Sequence, residues 1–323
     1  MLHNGGLMVA TKLDLLLGCN KSLNQFVFRQ YTFAIQFSGQ GIEGAFDKLF
    51  RAAFGATLHK STCFCKSSKK HLFGCVYSEL FESPIPQDKK INRFTNVPHP
   101  FVFEISQAED GQAHINITLF GKALRYIPYV IMTIIQMGRA GIGKGGNKFD
   151  VVQIHSHNDL IYDGDEGEMI TNQKGVLFYP QPIPGDRVQL YFNSPLNMVY
   201  KNRAVKKFDL RTFFESLLRR LHNLIEFHQN FTPQWSPAAV ASEIENIISL
   251  DEDLTHPIKR SRYSKRQQRE MDIGGIVGGI VIGGDINAVA PLLQLGTIIH
   301  VGKKTSFGNG HYTLLMQEDN FNE

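Results

Sequence analysis

Cysteine is scarce in this sequence: four in 323 residues, three of them crowded between positions 63 and 75. That is not the dense, spread set of a secreted disulfide framework, and it points to a reducing cytoplasm. Long apolar runs are missing as well. The greasiest stretch, YIPYVIMTIIQMG at 126–138, falls short of the roughly 18–20 residues needed to span a bilayer, so it is expected as a buried helix, with no membrane partner. The early segment GLMVATKLDLLLG is broken by Lys12 and Asp14 and has no clean small-residue cleavage site, so it reads as structured rather than as a signal peptide. Charge of one sign is not in large excess either. Lys and Arg number 34 against 30 Asp and Glu, a net of +4 that is too weak on average to imply a polyanionic partner. The placement of the positive charge must decide. A nucleotide-hydrolysing P-loop is also lacking: GRAGIGKG at 138–145 has the glycine and lysine spacing but ends in Gly145 where Ser or Thr would hold magnesium, and it follows a helical pattern rather than a strand. It is read as a glycine-rich helix exit.

What is present is a folded chain of about two domains, with 42% hydrophobic residues. RQYTFAIQF (29–37) reads as a strand, and Phe46, Leu49, Phe50, Ala53, Phe54 and Leu58 recur at helical spacing. HPFVFEIS and HINITLFG bracket a turn, and a helix at 122–138 and a strand at 149–155 complete a β-α-β-β-α-β order, the ferredoxin-like or RRM-like arrangement. The proline-rich FYPQPIPGDRVQL marks a linker, placed at 180–186. The same order is expected again after it: a strand in RVQLYFNS, a long helix whose stripe runs from Leu210 to Ile225, a glycine-laced hairpin in IGGIVGGIVIGGD, a short helix at 286–295 and a last core strand in TIIHV. The expected fold class is α+β: tandem ferredoxin-like domains, 1–179 with an insert at about 59–97, and 187–323 with a glycine-rich loop near its end.

The basic residues concentrate. KRSRYSKRQQR (259–269) holds Lys259, Arg260, Arg262, Lys265, Arg266 and Arg269 with no acid among them, and Tyr263 stands where a base could stack. A second group, Lys201, Arg203, Lys206, Lys207, Arg211, Arg219 and Arg220, runs into the long helix and is expected on its non-apolar side, where it reads equally as a solvated face. In HVGKKTSFGNG (300–310), Gly302, Gly308 and Gly310 permit close backbone approach and Lys303 and Lys304 add charge. The loop suits a sugar-phosphate backbone, or serves as a tight connection into HYTLL. Cys63, Cys65, His71 and Cys75 offer four ligands soft enough for a structural zinc, against the reading of ordinary reduced thiols; C-x-C with nine residues to the third thiol is not a standard zinc spacing.

The string RYSKRQQREMDIGGIVGGIVIGGDINAVAPLLQLGTIIHVGKKTSFGNGHYTL resembles the C-terminal signature of the CRISPR precursor-RNA processing endoribonucleases of the RAMP superfamily, whose last domain ends in a loop of the form G-K-x-T-x-F-G-x-G. LFRAAFGATLHKSTC with CVYSELFE, LFGKALRYIPYVIMTIIQMGRAGIGKGGNKFDV and SPLNMVYKNRAVKKFDLRTFFESLLRRL are similar to other family segments, so the likeness runs from about 30 to 315. Asn309 stands where the family usually has an apolar residue, a departure expected to matter little to backbone contacts made by the flanking glycines. The resemblance implies binding of CRISPR repeat RNA and one cut per repeat by attack of the upstream 2′-hydroxyl, leaving a 2′,3′-cyclic phosphate without a catalytic metal. Such chemistry needs a group of near-neutral pKa and a cation near the phosphorane. The family's proton carrier transfers only as a region, so His59 and His300 are the leading choices, with Lys303 as the cation; His99, His155 and His157 stay open. A non-catalytic RAMP subunit of an effector complex, with other CRISPR subunits as partners, and a general single-stranded RNA-binding module are the competing readings.

Overall fold

The computed structural model describes residues 14–39, 46–66, 71–72, 74–85, 97–107, 111–143, 145–164, 166–167, 169–170, 174–201, 203–264 and 269–315. A short helix, α1 (Asp14–Leu23), precedes the first sheet. Then follow β1 (Val27–Phe37), α2 (Phe46–Thr62), β2 (Phe101–Gln107), β3 (Gln112–Phe120), α3 (Ile127–Ala140) and β4 (Phe149–Ser156). The expected β-α-β-β-α-β order is therefore present. A further strand, β5 (Asp159–Asp163), extends the sheet to the antiparallel order β2-β3-β1-β4-β5, and β6 (Val176–Leu177) pairs with the start of β1.

Alternation along β1 gives this sheet two unlike faces, because successive side chains point to opposite sides. Tyr31, Phe33, Ile35 and Phe37 are buried in one core with Phe50 and Phe54 of α2 and Ile131 and Ile134 of α3. On the opposite face Thr32 Oγ1 donates to Asn116 Oδ1 at 2.8 Å. Helix α2 runs to Thr62, past the expected start of the insert at 59, so His59 is a helical residue. α3 ends at Gly141, a positive-φ residue whose N–H bonds back to Met137, as the helix-exit reading of GRAGIGKG requires.

No regular element occupies 178–186. The second sheet begins with β7 (Arg187–Leu196), followed by a small ribbon of β8 (Val199–Tyr200) and β9 (Arg203–Ala204). Next come α4 (Leu210–His228) and α5 (Pro237–Ile244), then β10 (Ile248–Asp253), β11 (His256–Ile258), β12 (Ser261–Ser264), β13 (Arg269–Asp272) and β14 (Gly275–Gly284). Helix α6 (Ile286–Ile299) and β15 (Tyr312–Leu315) close the unit. The sheet order β10-β14-β7-β15 has the same topology as β2-β3-β1-β4, so the architecture is duplicated.

Three elements differ from the sequence reading. IGGIVGGIVIGGD is not a hairpin but one continuous strand, β14, whose same edge pairs first with β11 and then with β10. Its glycines allow a bulge, marked by the register shift between Ile276 and Gly278. TIIHV is not the last strand: Thr297 to Ile299 finish α6, which Asp285 caps by accepting the Ala288 N–H, and the closing strand is β15. A short β-branched run reads alike in strand and buried helix, and burial of Leu292, Leu295 and Ile299 decides for helix. Arg220 does not lie on the solvent side of α4 but is buried, its Nε donating to the Ile299 carbonyl at 2.7 Å.

Helix α1 packs into the second core although it precedes the first sheet. Leu16, Cys19 and Leu23 join Val240, Ile244 and Leu293, and Asn20 Nδ2 donates to the Ala288 carbonyl at 2.8 Å. Among the described residues no helix is long and apolar enough to cross a membrane.

Candidate nucleic-acid interface and active site

The glycine loop spans the gap between α6 and β15 and leans on the first sheet. It is closed by its own backbone: Val301 N–H donates to the Gly310 carbonyl and Gly310 N–H to the Pro195 carbonyl, both at 3.0 Å, while Lys303 N–H bonds to Asn197 at 2.8 Å. Residues Thr305–Phe307 form one 3₁₀ turn, after which Gly308 N–H reaches the Thr305 carbonyl at 2.9 Å. The amides of Gly308 and Gly310 thus have partners within the protein. These glycines answer to the protein's own packing. Gly308 (φ +83°) lies where a Cβ would come 2.9 Å from the Phe103 carbonyl oxygen of β2, and a Cβ on Gly310 (φ +75°) would collide with the Val301 carbonyl. Gly302 is likewise held against the Asn197 carbonyl. What the loop offers outward is charge: Lys303 is exposed and Lys304 half-buried. Partial burial and the neighbouring Lys303 pull the Lys304 ammonium below its ordinary pKa, with Asp272 opposing.

The described part of the basic run of 259–269 enters the antiparallel pair β12–β13, in which Ser261 pairs with Asp272 and Ser264 with Arg269. Lys265 and Arg266 lie outside the described residues, as do the side chains of Arg262 and Arg269. The root of the hairpin is tied to the glycine loop. Asn309, 4% exposed, donates from Nδ2 to the Ile273 carbonyl at 2.9 Å, and Asn197 donates to Gly274 at 2.6 Å. Ile273 N–H in turn bonds to Arg260 at 2.7 Å. Asn309 is therefore a buried side-chain link between the loop and the basic hairpin.

Beside the loop lies a cluster that the sequence did not announce. His300 ends α6 with φ +61°, a backbone region that costs a non-glycine residue about 1–3 kcal/mol. Its ring has no exposed surface, and Nε2 donates to Glu104 Oε1 of β2 at 3.1 Å. His311 Nε2 lies 3.8 Å from the other Glu104 oxygen, and the two imidazole centroids are 5.1 Å apart. Burial lowers the His300 pKa, with the hydrogen bond and charge of Glu104 opposing. Burial pushes the Glu104 carboxyl up, but the hydrogen bond from His300 and the nearby imidazoles outweigh it, and the carboxylate stays ionised. Glu104 and His311 open onto a cleft of about 360 Å³ between the polar face of the first sheet and the end of α6, where Gln30, Thr118 and Thr297 also line the wall. The expected His300 is thus behind the site rather than at its surface; His311, one residue past the quoted loop, is the ring that faces the cleft.

The other expected residues lie elsewhere. His59 sits in the last turn of α2, eight residues and so about 12 Å of helix beyond Arg51, its ring edge-on to Tyr77 at 4.6 Å. His99 is half-buried, with Nε2 3.0 Å from Arg51 Nη2. His155 is on β4, within the expected strand, and His157 is in the turn that follows. Cys63, Cys65, His71 and Cys75 do come together, their ligand atoms all within 4.8 Å of one another, as do those of Glu104, His300 and His311.

Two units of the same ferredoxin-like topology, with a closed glycine loop docked against the first sheet, define the class of fold as tandem ferredoxin-like. Residues 190–312 match the family model of the CRISPR-associated endoribonuclease Cas6, and residues 30–174 match a model described as an N-terminal domain. The second half is thus similar to the Cas6 endoribonuclease family over residues 190–312. An uncharacterized protein of Archaeoglobus fulgidus is 24% identical over 285 residues, covering 82% of this chain and 90% of its own. In fold, the chain is similar to Thermus thermophilus Cas6, at 15% identity and a TM-score of 0.53 over 90% of this chain and 99% of that one. The product complex of that Cas6 gives a TM-score of 0.57, at 15% identity over 89% and 100% of the two chains. A chain of a partial Cas6-RT-Cas1–Cas2 complex is similar over 91% of this chain and 47% of its own, at 12% identity and a TM-score of 0.52.

Proposed function

We propose that this protein binds the repeat of a CRISPR transcript in the cytoplasm and cuts it once per repeat, releasing guide RNAs. The RNA lies along the β12–β13 hairpin and the outward lysines of the glycine loop, with the scissile phosphate in the cleft. The observation that carries the reading is the pair Glu104 and His311 on the cleft wall, backed by the buried His300, in a half that matches the Cas6 family model.

His311 moves the proton between the 2′-hydroxyl, the phosphate and the leaving 5′-oxygen. Glu104 holds His311 from one oxygen while His300 steadies the other. Lys303 stabilises charge on the phosphorane. Imidazole and ammonium supply every step, so the reaction is proposed to need no catalytic metal and to leave a 2′,3′-cyclic phosphate and a 5′-hydroxyl. His59 is the competing proton carrier.

Single-turnover cleavage of repeat RNA in excess chelator tests this. His311→Ala is expected to slow the cut on the order of 10²- to 10⁴-fold with affinity kept, and a 2′-deoxy at the cut site to abolish it. A 3′-hydroxyl product or strict magnesium dependence overturns the chemistry. Loss with His59→Ala but not His311→Ala moves the site to α2. The burial of His300 favours one other reading, a RAMP subunit that binds RNA alongside other CRISPR proteins without cutting, and repeat RNA bound tightly but left intact would establish it.

A further inference from the structure

We propose that Cys63, Cys65, His71 and Cys75 bind one zinc ion, which staples the segment between α2 and the turn at 78–82 onto the first core. This inference rests on the insert alone and stands apart from the cleavage reading.

The geometry is that of a ligand set. One sulfur or nitrogen from each residue falls within 4.8 Å of the others. Zinc–sulfur bonds near 2.3 Å and zinc–nitrogen bonds near 2.05 Å set a tetrahedral S···N edge of about 3.6 Å. His71 Nδ1 lies 3.4 Å from Cys63 Sγ and 3.7 Å from Cys75 Sγ. A neutral imidazole nitrogen carries one lone pair or one N–H and makes one well-directed hydrogen bond, so two sulfurs at near-tetrahedral spacing from it are better matched by a shared ligand position. A cation between them provides one.

The chain fixes the outer ligands from two directions. Cys63 continues α2, its N–H bonding to the His59 carbonyl at 3.0 Å, and Cys75 opens the next helical turn, its carbonyl accepting the Glu79 N–H at 2.9 Å. Both turns are rooted in the core through Leu58 and Leu80. The intervening segment supplies Cys65 and His71, completing C-x-C-x₅-H-x₃-C. The Leu72 N–H donates to Cys65 Sγ at 3.2 Å, the kind of backbone contact that supports a metal-bound thiolate. Three sulfurs and one imidazole select zinc by softness, and four protein ligands leave no open position, so the ion is structural. It also fixes His71 against the His59 and Tyr77 rings, 6.3 and 5.5 Å away between centroids.

The test is elemental analysis of the full-length protein purified in reductant without added metal. About one zinc per chain is expected, released when a mercurial titrates the thiols. Exchange for cobalt(II) is expected to give the intense visible bands of a tetrahedral thiolate site, and the near-ultraviolet Co–S band is expected to weaken in Cys65→Ser. Cys63→Ser and Cys75→Ser are expected to lose the metal and lower Tm by several degrees, while Cys19→Ser, whose buried thiol lies in the other core, keeps a full equivalent. Less than half an equivalent of any metal in the parent protein overturns the proposal, whether or not the variants fold. So does a full equivalent retained by Cys63→Ser.

Discussion

Arg51 Nε donates to Ser306 Oγ at 3.0 Å, joining a helix of the first half to the glycine loop of the second. The same guanidinium lies over the rings of Phe307 at 4.1 Å and Phe81 at 4.6 Å and touches His99. The loop that presents Lys303 therefore takes its shape from both halves, and RNA binding should respond to changes far from any RNA contact.

Arg51→Ala removes a charge-assisted hydrogen bond and two cation–π contacts, and is expected to cost about 2–3 kcal/mol of stability by urea denaturation. Arg51→Lys should recover less than half of that, because an ammonium has neither the planar stacking face nor the fork. Equal stability of all three proteins would show that the loop is held by its backbone alone.

Stability should fall in acid, through two histidines on the same seam. Burial holds His99 at about 3, with Arg51 adding to the shift, and holds His228 at about 4 despite its hydrogen bond to the Pro98 carbonyl at 2.8 Å. Both folded values lie below the unfolded value of 6.5. Below that pH the unfolded chain binds protons that the folded chain refuses, so their stabilisation is complete above about 6.5 and is lost as pH falls toward 4 and then 3. The slope contributed by each approaches about 1.4 kcal/mol per pH unit. His228→Gln, which keeps a donor for Pro98 but does not titrate, should flatten the upper part of this dependence in pH-resolved denaturation.

The repeated β-α-β-β-α-β order was legible because period-2 alternation in RQYTFAIQF and the helical stripe from Leu210 to Ile225 are local signals. The errors fell where local signals are degenerate: TIIHV serves helix or strand, and glycines in β14 mark bulges as readily as turns. The candidate site was legible only in part. Lys303 and the loop stand out in sequence, but Glu104 pairs with His300 across 196 positions and only the docking of β2 against the loop joins them. His311 had one available signal, a histidine directly after the last glycine of the loop. The cysteine set was visible as residue types, and its unusual spacing hid a convergence that the two helix ends create.

Glu104 acts through the histidines, so its replacement should separate rate from binding. Glu104→Gln keeps an acceptor for His300 and removes the charge beside His311. Cleavage is expected to slow about 10- to 100-fold, with the midpoint of the pH–rate profile displaced and repeat affinity unchanged or slightly higher. A parental pH–rate profile in this variant would remove the cluster from the mechanism.

Glycine and lysine substitutions in the loop should fail in different ways. Gly310→Ala must hold a side chain at φ +75° against the Val301 carbonyl, and is expected to lose about 2–4 kcal/mol of folding stability. Its weaker RNA binding would follow from a deformed loop, with little change in the slope of log affinity against log salt. Lys303 is exposed, so Lys303→Ala should melt like the parent and lose affinity through charge, reducing that slope by roughly 0.7–0.9 for one phosphate contact. Arg260→Ala at the root of the hairpin should add a similar decrement if hairpin and loop track one strand. Urea melts and salt-resolved binding on the same samples separate the two classes. A Lys303→Ala, Lys304→Ala double variant with parental affinity and slope would mean that the loop only closes the fold, joining α6 to β15 and the two halves through Arg51, and that the phosphates are held elsewhere.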